Sequence, residues 1–296
     1  MTAASGVDLT AAADFLAASA RVLDRRRFDL LVGDGDPAAV LAAVDGYRNP
    51  DGGYGWGLEP DLRSRTSQPS GALHAFEAFG DVGAPVPRAA ELCDWLAAVT
   101  LPDGGLPFAL PVPDPAACAP FWVGADGASS SLQITAVIVA TAARVGVHDP
   151  AVAGHPWLAR ATAFCLDAAA ALGDAPHAME LAFAVQFLDV VASPEAAELV
   201  RALGRHIPPD GLLHVAGGAD DEFMRPLDFA PFPGGPARDL FDPAVVAAEL
   251  DRLAGGQQAD GGWTVDFDSY SAAAAQEWRG HRTVQALSLL RGNGRP

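Results

Sequence analysis

The chain contains no lysine: all 19 of its basic side chains are arginine, set against 37 Asp and Glu. That absence excludes Schiff-base chemistry, a P-loop lysine and a Ser–Lys catalytic pair. The formal charge of −18 over 296 residues repels polyphosphate and argues against a general nucleic-acid binder. Cysteine is scarce as well. Cys93, Cys118 and Cys165 are odd in number, widely spaced and set among apolar residues, without a Cys-x-x-Cys or a Cys–His cluster. They read as buried thiols of a cytoplasmic protein rather than as disulfides or metal ligands. Long apolar runs are missing: the stretch from Met1 to Asp8 has no basic segment leading into one, and elsewhere Gln, Thr, Asp or Glu interrupts each run early. Neither a signal peptide nor an integral membrane segment is expected. Strand-like alternation is also hard to find, which leaves helix as the dominant element.

What is present is an apolar half (50% hydrophobic residues) able to bury a large core, with 31 Gly and 24 Pro. Gly and Pro cluster at turns between Ala- and Leu-rich segments of helical spacing. Residues 243–254 carry Val245, Val246, Leu250 and Leu253 on one face and Glu249, Asp251 and Arg252 on another, the pattern of a helix with one face in water. Residues 132–145 and 178–191 have few polar positions on any side and should be buried all round. The spacing therefore predicts outer helices over 9–30, 36–47, 87–98, 155–171, 194–204 and 243–254. Inner helices are predicted over 68–79, 129–145, 177–191 and 278–291.

The turns recur. Asn49-Pro50-Asp51-Gly52-Gly53-Tyr54-Gly55-Trp56 is followed by Leu101-Pro102-Asp103-Gly104-Gly105-Leu106-Pro107-Phe108, by Pro208-Pro209-Asp210-Gly211-Leu212-Leu213 and by Gln257-Gln258-Ala259-Asp260-Gly261-Gly262-Trp263. Their aspartates are 52, 107 and 50 residues apart, a repeat of about fifty residues in which one turn is replaced by Gly173-Asp174-Ala175-Pro176. In each, Asp can accept from the following amides and Gly can take a positive φ. Two helices per repeat imply a stacked or closed helical array.

Gln257-x-x-Asp260-Gly261-Gly262-Trp263 resembles the QW-type repeat of the terpenoid cyclase and protein prenyltransferase superfamily, and the other turns resemble degenerate copies of it. The resemblance runs from about residue 36 to 291. It implies an all-α chain forming a single α/α toroid of five to six outer/inner helix pairs over residues 1–296. Residues 1–35 would form an N-terminal outer helix, residues 212–241 a lid or long loop, and a central cavity would take an apolar, isoprenoid-like ligand. A zinc-dependent prenyltransferase would carry Asp-x-Cys and a later His; the nearest string is Glu91-Leu92-Cys93, so that site is not expected. The Asp-x-Asp-Asp of a proton-initiated cyclase is approached only by Gly218-Ala219-Asp220-Asp221-Glu222.

Within that frame, Asp221 and Glu222 are candidate acids, and Asp220, Asp221 and Glu222 a candidate magnesium site. His177 and Glu180 lie three apart in an apolar segment and are a second candidate acid–base pair. Asp61, Arg63 and Arg65 lead into the first inner segment, while Trp278, Arg279, His281 and Arg282 open the last. If the ring closes, these arginines meet at one mouth and hold an anionic group, or they pair with Glu59, Asp61 and Glu277. Trp56, Phe121, Trp122, Phe223 and Trp278 are candidate substrate-lining aromatics. The leading expectation is carboxylate general-acid chemistry on an isoprenoid-type substrate. A non-catalytic toroid binding an isoprenoid or a peptide, and a carbohydrate-active α/α barrel, are the alternatives.

Overall fold

The abundance of proline is explained by where helices begin. In a computed structural model that describes residues 6–191 and 193–295, nine of the fourteen α-helices among the described residues have proline at their start. At that position the missing N–H costs nothing and the fixed φ suits the helix. Asp8, Asp36, Asp149 and Asp242, with Ser131, Ser193 and Ser271, cap other orphan amides with their side chains.

The first part of the chain forms α1 (Leu9–Ser19), α2 (Val22–Val32), α3 (Pro37–Asp45), α4 (Pro69–Val82) and α5 (Pro87–Val99). The middle part forms the one-turn α6 (Pro120–Val123), α7 (Leu132–Gly146), the one-turn α8 (Pro150–Ala153), α9 (Pro156–Ala170) and α10 (Ala178–Val191). The last part forms α11 (Pro194–Leu203), a two-residue hairpin of β1 (Leu213–His214) and β2 (Phe223–Met224), the short α12 (Pro226–Phe229), α13 (Pro243–Ala254) and α14 (Ala272–Gly292). No helix is long and apolar enough to cross a membrane among the described residues.

The expected segments match these elements closely, with two corrections: α14 begins at Ala272, where the Ser271 side chain caps it, six residues before the expected 278, and the first segment divides. Residues 9–30 are two helices, because the backbone is extended at Ala20 and Arg21. From that break Arg21 reaches Asp24 at 2.9 Å and the Leu58 carbonyl at 2.9 Å. Successive contacts run from α4 to α7, α10, α12, α13, α14 and α2, and α2 packs on α4 again. On the other side α5 and α9 back onto α4 and α7. One cluster of buried apolar side chains runs from Ala12 to Leu290. All three cysteines are buried and unpaired within it.

The four repeated turns share one construction. Asp51, Asp103, Asp210 and Asp260 each accept, through Oδ1, the amide two residues on. The glycine between takes φ of +94°, +100°, +74° and +93° in turn. Three of the turns also grip an inner helix: Asp51 accepts from Ser67 before α4, Asp103 from Ser130 before α7, and Asp260 pairs with Arg279 of α14. The Leu106 and Trp263 amides donate to Thr135 and Thr283 on those last two helices. In the fourth turn Gln257 exchanges hydrogen bonds with Asp8 at both amide and carbonyl, so it also pins the start of α1, and the Trp263 indole donates to the Leu253 carbonyl. Segment 212–241 is the hairpin, α12 and a 3₁₀ turn, with Leu227 and Phe229 buried; Phe232 lies over Arg144 near the C-terminal end of α7.

Gly33 and Gly261 separate conformational strain from close approach. Both have positive φ, but an added Cβ meets nothing at 33 and overlaps the Ala11 carbonyl at 261. Gly33→Ala should cost about 1–2 kcal/mol for its left-handed backbone. Gly261→Ala should cost measurably more in urea unfolding, since it also pushes α1 off the turn.

Candidate functional site

Where α14 meets α4, the interior is charged. His74 and Glu77 stand three apart on one face of α4, and their side chains meet at 3.0 Å between Nδ1 and Oε2. His281 of α14 brings its Nδ1 to 3.8 Å from the same Glu77 oxygen, with its ring centroid 5.1 Å from that of His74. Glu59, from the loop before α4, holds the other nitrogen of His74 at 3.1 Å. Arg27 of α2 lies 3.6 Å from Glu77 and also pairs with Asp81. Both imidazoles are buried, whereas the Glu77 side chain keeps 22% of its exposure.

These contacts set the protonation states. Burial opposes charge on His74, but the Glu77 and Glu59 carboxylates outweigh it and raise the imidazole to about 9. Burial, with His74 and Arg27 adding to it, lowers His281 to about 3 despite Glu77. Burial would push Glu77 up, yet His281, His74 and Arg27 hold it well below the ordinary carboxylate range. The centre is therefore a carboxylate between one charged and one neutral imidazole. The Nδ1 of His281 is buried without a hydrogen-bond partner. His74, Glu77 and His281 each offer a donor atom within 4.8 Å of the others, the one such group of three potential metal ligands among the described residues.

The loop that supplies Glu59 ties the seam together with every second side chain. Glu59 takes His74, Asp61 accepts the Trp278 indole at 2.7 Å and the Tyr270 amide at 3.0 Å, and Arg63 pairs with Glu277 at 2.6 Å. Aromatic rings gather beside Asp61: Tyr270 meets Phe121 at 5.8 Å, Phe121 meets Trp122 at 5.4 Å, and Trp122 stacks on Phe108 at 4.5 Å. Burial raises the Asp61 carboxyl, against the two hydrogen bonds it accepts.

The helices behind this cluster each keep a half-buried stripe at helical spacing on an otherwise buried surface. It comprises Leu73 and Glu77 on α4, and Met179, Phe183, Gln186 and Val190 on α10. Gln133 of α7 reaches the Met179 sulfur at 3.6 Å. Two surface concavities, of about 510 and 400 Å³, lie elsewhere, on either side of the Asp51 turn beside Arg48, Glu91 and Trp56.

Of the residues singled out in the sequence, Asp61, Phe121, Trp122 and Trp278 come together, with Arg63 held by Glu277 nearby. The others are dispersed. Trp56 is half exposed and donates to Asn49 on its own turn. Arg279 is spent on Asp260 and stacks over Phe15, 4.5 Å from the ring centroid. Arg65 lies over Trp56 and Arg282 donates to Gln285, so the arginines do not converge on an anion seat. His177 stands before α10 rather than on it, and its ring bonds to the Ala216 carbonyl instead of Glu180. Glu222 is buried and folds back on the Ala219 amide, while Asp220 and Asp221 point to solvent. Their oxygens form no common site for magnesium. Phe223 packs on His214 in the hairpin. His281 does not stand with the arginines but faces inward, toward His74 and Glu77. Those two were missed, although His74-x-x-Glu77 has the same three-residue spacing on an apolar segment that marked His177 and Glu180. No protein-family model and no curated protein matches the chain in sequence.

A carboxyl raised from 3.8 by burial binds its proton more tightly folded than unfolded, so its contribution to stability declines as pH rises from 3.8 through the folded value. Asp61→Asn removes that group. Urea titrations at several pH values should show a flatter fall over this window than in the parent, with a lower plateau because one of the two donors loses its acceptor.

Proposed function

We propose that the chain is an α/α toroid built like the terpenoid cyclases and protein prenyltransferases, and that it takes an apolar, isoprenoid-type molecule at the end of the inner helices where Trp278, Tyr270, Phe121 and Trp122 gather. The observation that carries this reading is Asp61: a buried carboxyl, raised by its surroundings, hydrogen-bonded to the indole of Trp278 in the midst of those rings. Such a carboxyl is suited to donate a proton to an alkene, and the neighbouring π faces are suited to stabilise the cation that results. In this reading Asp61 takes the acid role that the strings around Asp221, Glu222 and Glu180 suggested. The closing succession of helix contacts and the half-buried stripes on α4 and α10 support a ring with a lined interior.

A second reading, a toroid that binds without reacting, is favoured by one fact. Both Asp61 oxygens already accept hydrogen bonds, which makes the carboxyl a clamp on the mouth as readily as an acid.

Titrating the purified chain with farnesyl- and geranylgeranyl-type compounds, read by tryptophan fluorescence and product mass spectrometry, separates the two. Trp278→Ala should weaken binding roughly tenfold or more, the worth of about 1.5–3 kcal/mol of buried aromatic contact. Asp61→Asn should abolish turnover while leaving affinity within a few-fold if Asp61 is the acid. Binding without turnover in the parent selects the second reading, and absence of binding to any such compound overturns both.

A further inference from the structure

We propose that His74, Glu77 and His281 bind one divalent transition-metal ion of the zinc class. The site is defined by its own donors and does not depend on what occupies the aromatic mouth. Two imidazoles and one carboxylate are a donor set that suits zinc and its neighbours, and that leaves coordination positions open for water or a ligand.

Three features point to an ion rather than to a chance cluster. First, the buried Nδ1 of His281 has no hydrogen-bond partner and lies 3.8 Å from Glu77 Oε2. A buried polar nitrogen left bare is costly, and a metal bond satisfies it. Second, His74 is already held as metal-bound histidines usually are. Its Nε2 meets the Glu59 carboxylate at 3.1 Å, which leaves Nδ1 directed at Glu77; an outer carboxylate of this kind fixes the ring and makes it a better ligand. Third, the local charge calls for a cation. Asp24 pairs with Arg21, Glu77 and Asp81 pair with Arg27, and Glu59 holds His74, so four carboxylates face two guanidinium groups and, once an ion displaces the His74 proton, about two negative charges are left for one divalent ion to answer.

The geometry needs little change. Bonds of about 2.0–2.1 Å in a tetrahedral site place donors about 3.3–3.4 Å apart, and the three donors here already lie within 4.8 Å of one another on two rigid helices. Glu77 Oε1 makes none of the contacts to His74, His281 or Arg27, and Glu77 keeps part of its exposure, which gives the ion an approach from the half-buried stripe. All three thiols are buried, so cysteine offers no accessible competing ligand.

The test uses the full chain, stripped with a chelator and titrated with zinc(II), cobalt(II) and magnesium(II). The expected result is one zinc or cobalt ion per chain, a rise in Tm on loading, and a visible cobalt spectrum of nitrogen and oxygen ligation. Glu77→Gln and His281→Ala, checked for folding by circular dichroism, should weaken zinc binding at least a hundredfold, and Glu59→Gln about 10–100-fold through the outer hydrogen bond. The proposal is overturned by absence of stoichiometric binding, by magnesium binding as tightly as zinc, by a thiolate-to-cobalt charge-transfer band, or by folded variants that bind as the parent does. Should the variants not fold, the stoichiometry and cobalt spectrum of the parent still decide.

Discussion

The constraint on which the rest depends is the need to keep charge inside an apolar core of packed helices. Asp24 is fully buried and is answered by Arg21; Arg27 is answered by Asp81 and Glu77; Glu77 and Glu59 enclose His74. Breaking any of these pairs strands a buried charge at a cost of about 3–5 kcal/mol, so α2, α4 and α14 have to meet in one register. Gly280 shows how tight that register is: a Cβ there would fall 2.7 Å from Ala20 and 2.9 Å from Asp24. The break between α1 and α2 follows from the same demand, because Arg21 leaves the helical path to reach both Asp24 and the loop ahead of Glu59.

The Asp–Gly turns solve the complementary problem of holding helices of two kinds together. Each aspartate organises its own turn through the amide two residues on, and three of the four also bind the start of the helix that follows, through Ser67, Ser130 or Arg279. The turn is thus a joint between neighbouring helices as well as a change of direction. Its fourth copy, through Gln257 and Asp8, binds the last repeat to the first helix. The charged seam and the aromatic cluster around Asp61 sit where those joints deliver α4 and α14 side by side.

Much of this frame could be read from residues alone. Proline before an apolar run, an Asp or Ser cap, and a glycine after it located eight of the helices within a few residues, because those signals are local. The turns were legible for the same reason. The site was legible only in part. Asp61 and Trp278 stood out as polar and aromatic residues beside predicted inner helices, and they meet through the hydrogen bond from the Trp278 indole. His74, Glu77 and Arg27 did not stand out, since their partners are up to 207 residues away along the chain and nothing in an isolated α4 sequence says that His281 will face it. The acidic string Asp220–Glu222 misled for the converse reason: adjacent carboxylates in a hairpin diverge, and the one that turns inward serves the Ala219 amide.

Two side-chain clusters meet along one seam: aromatic rings around Asp61, and a carboxylate between two imidazoles in unlike states. The account stands or falls on that electrostatic asymmetry. An imidazole ¹⁵N NMR titration of the metal-free chain measures it directly. The account predicts that His74 stays an imidazolium through neutrality and loses its proton near pH 9, while His281 remains neutral down to about pH 3. Two rings titrating together near the ordinary histidine value of 6.5 would contradict it.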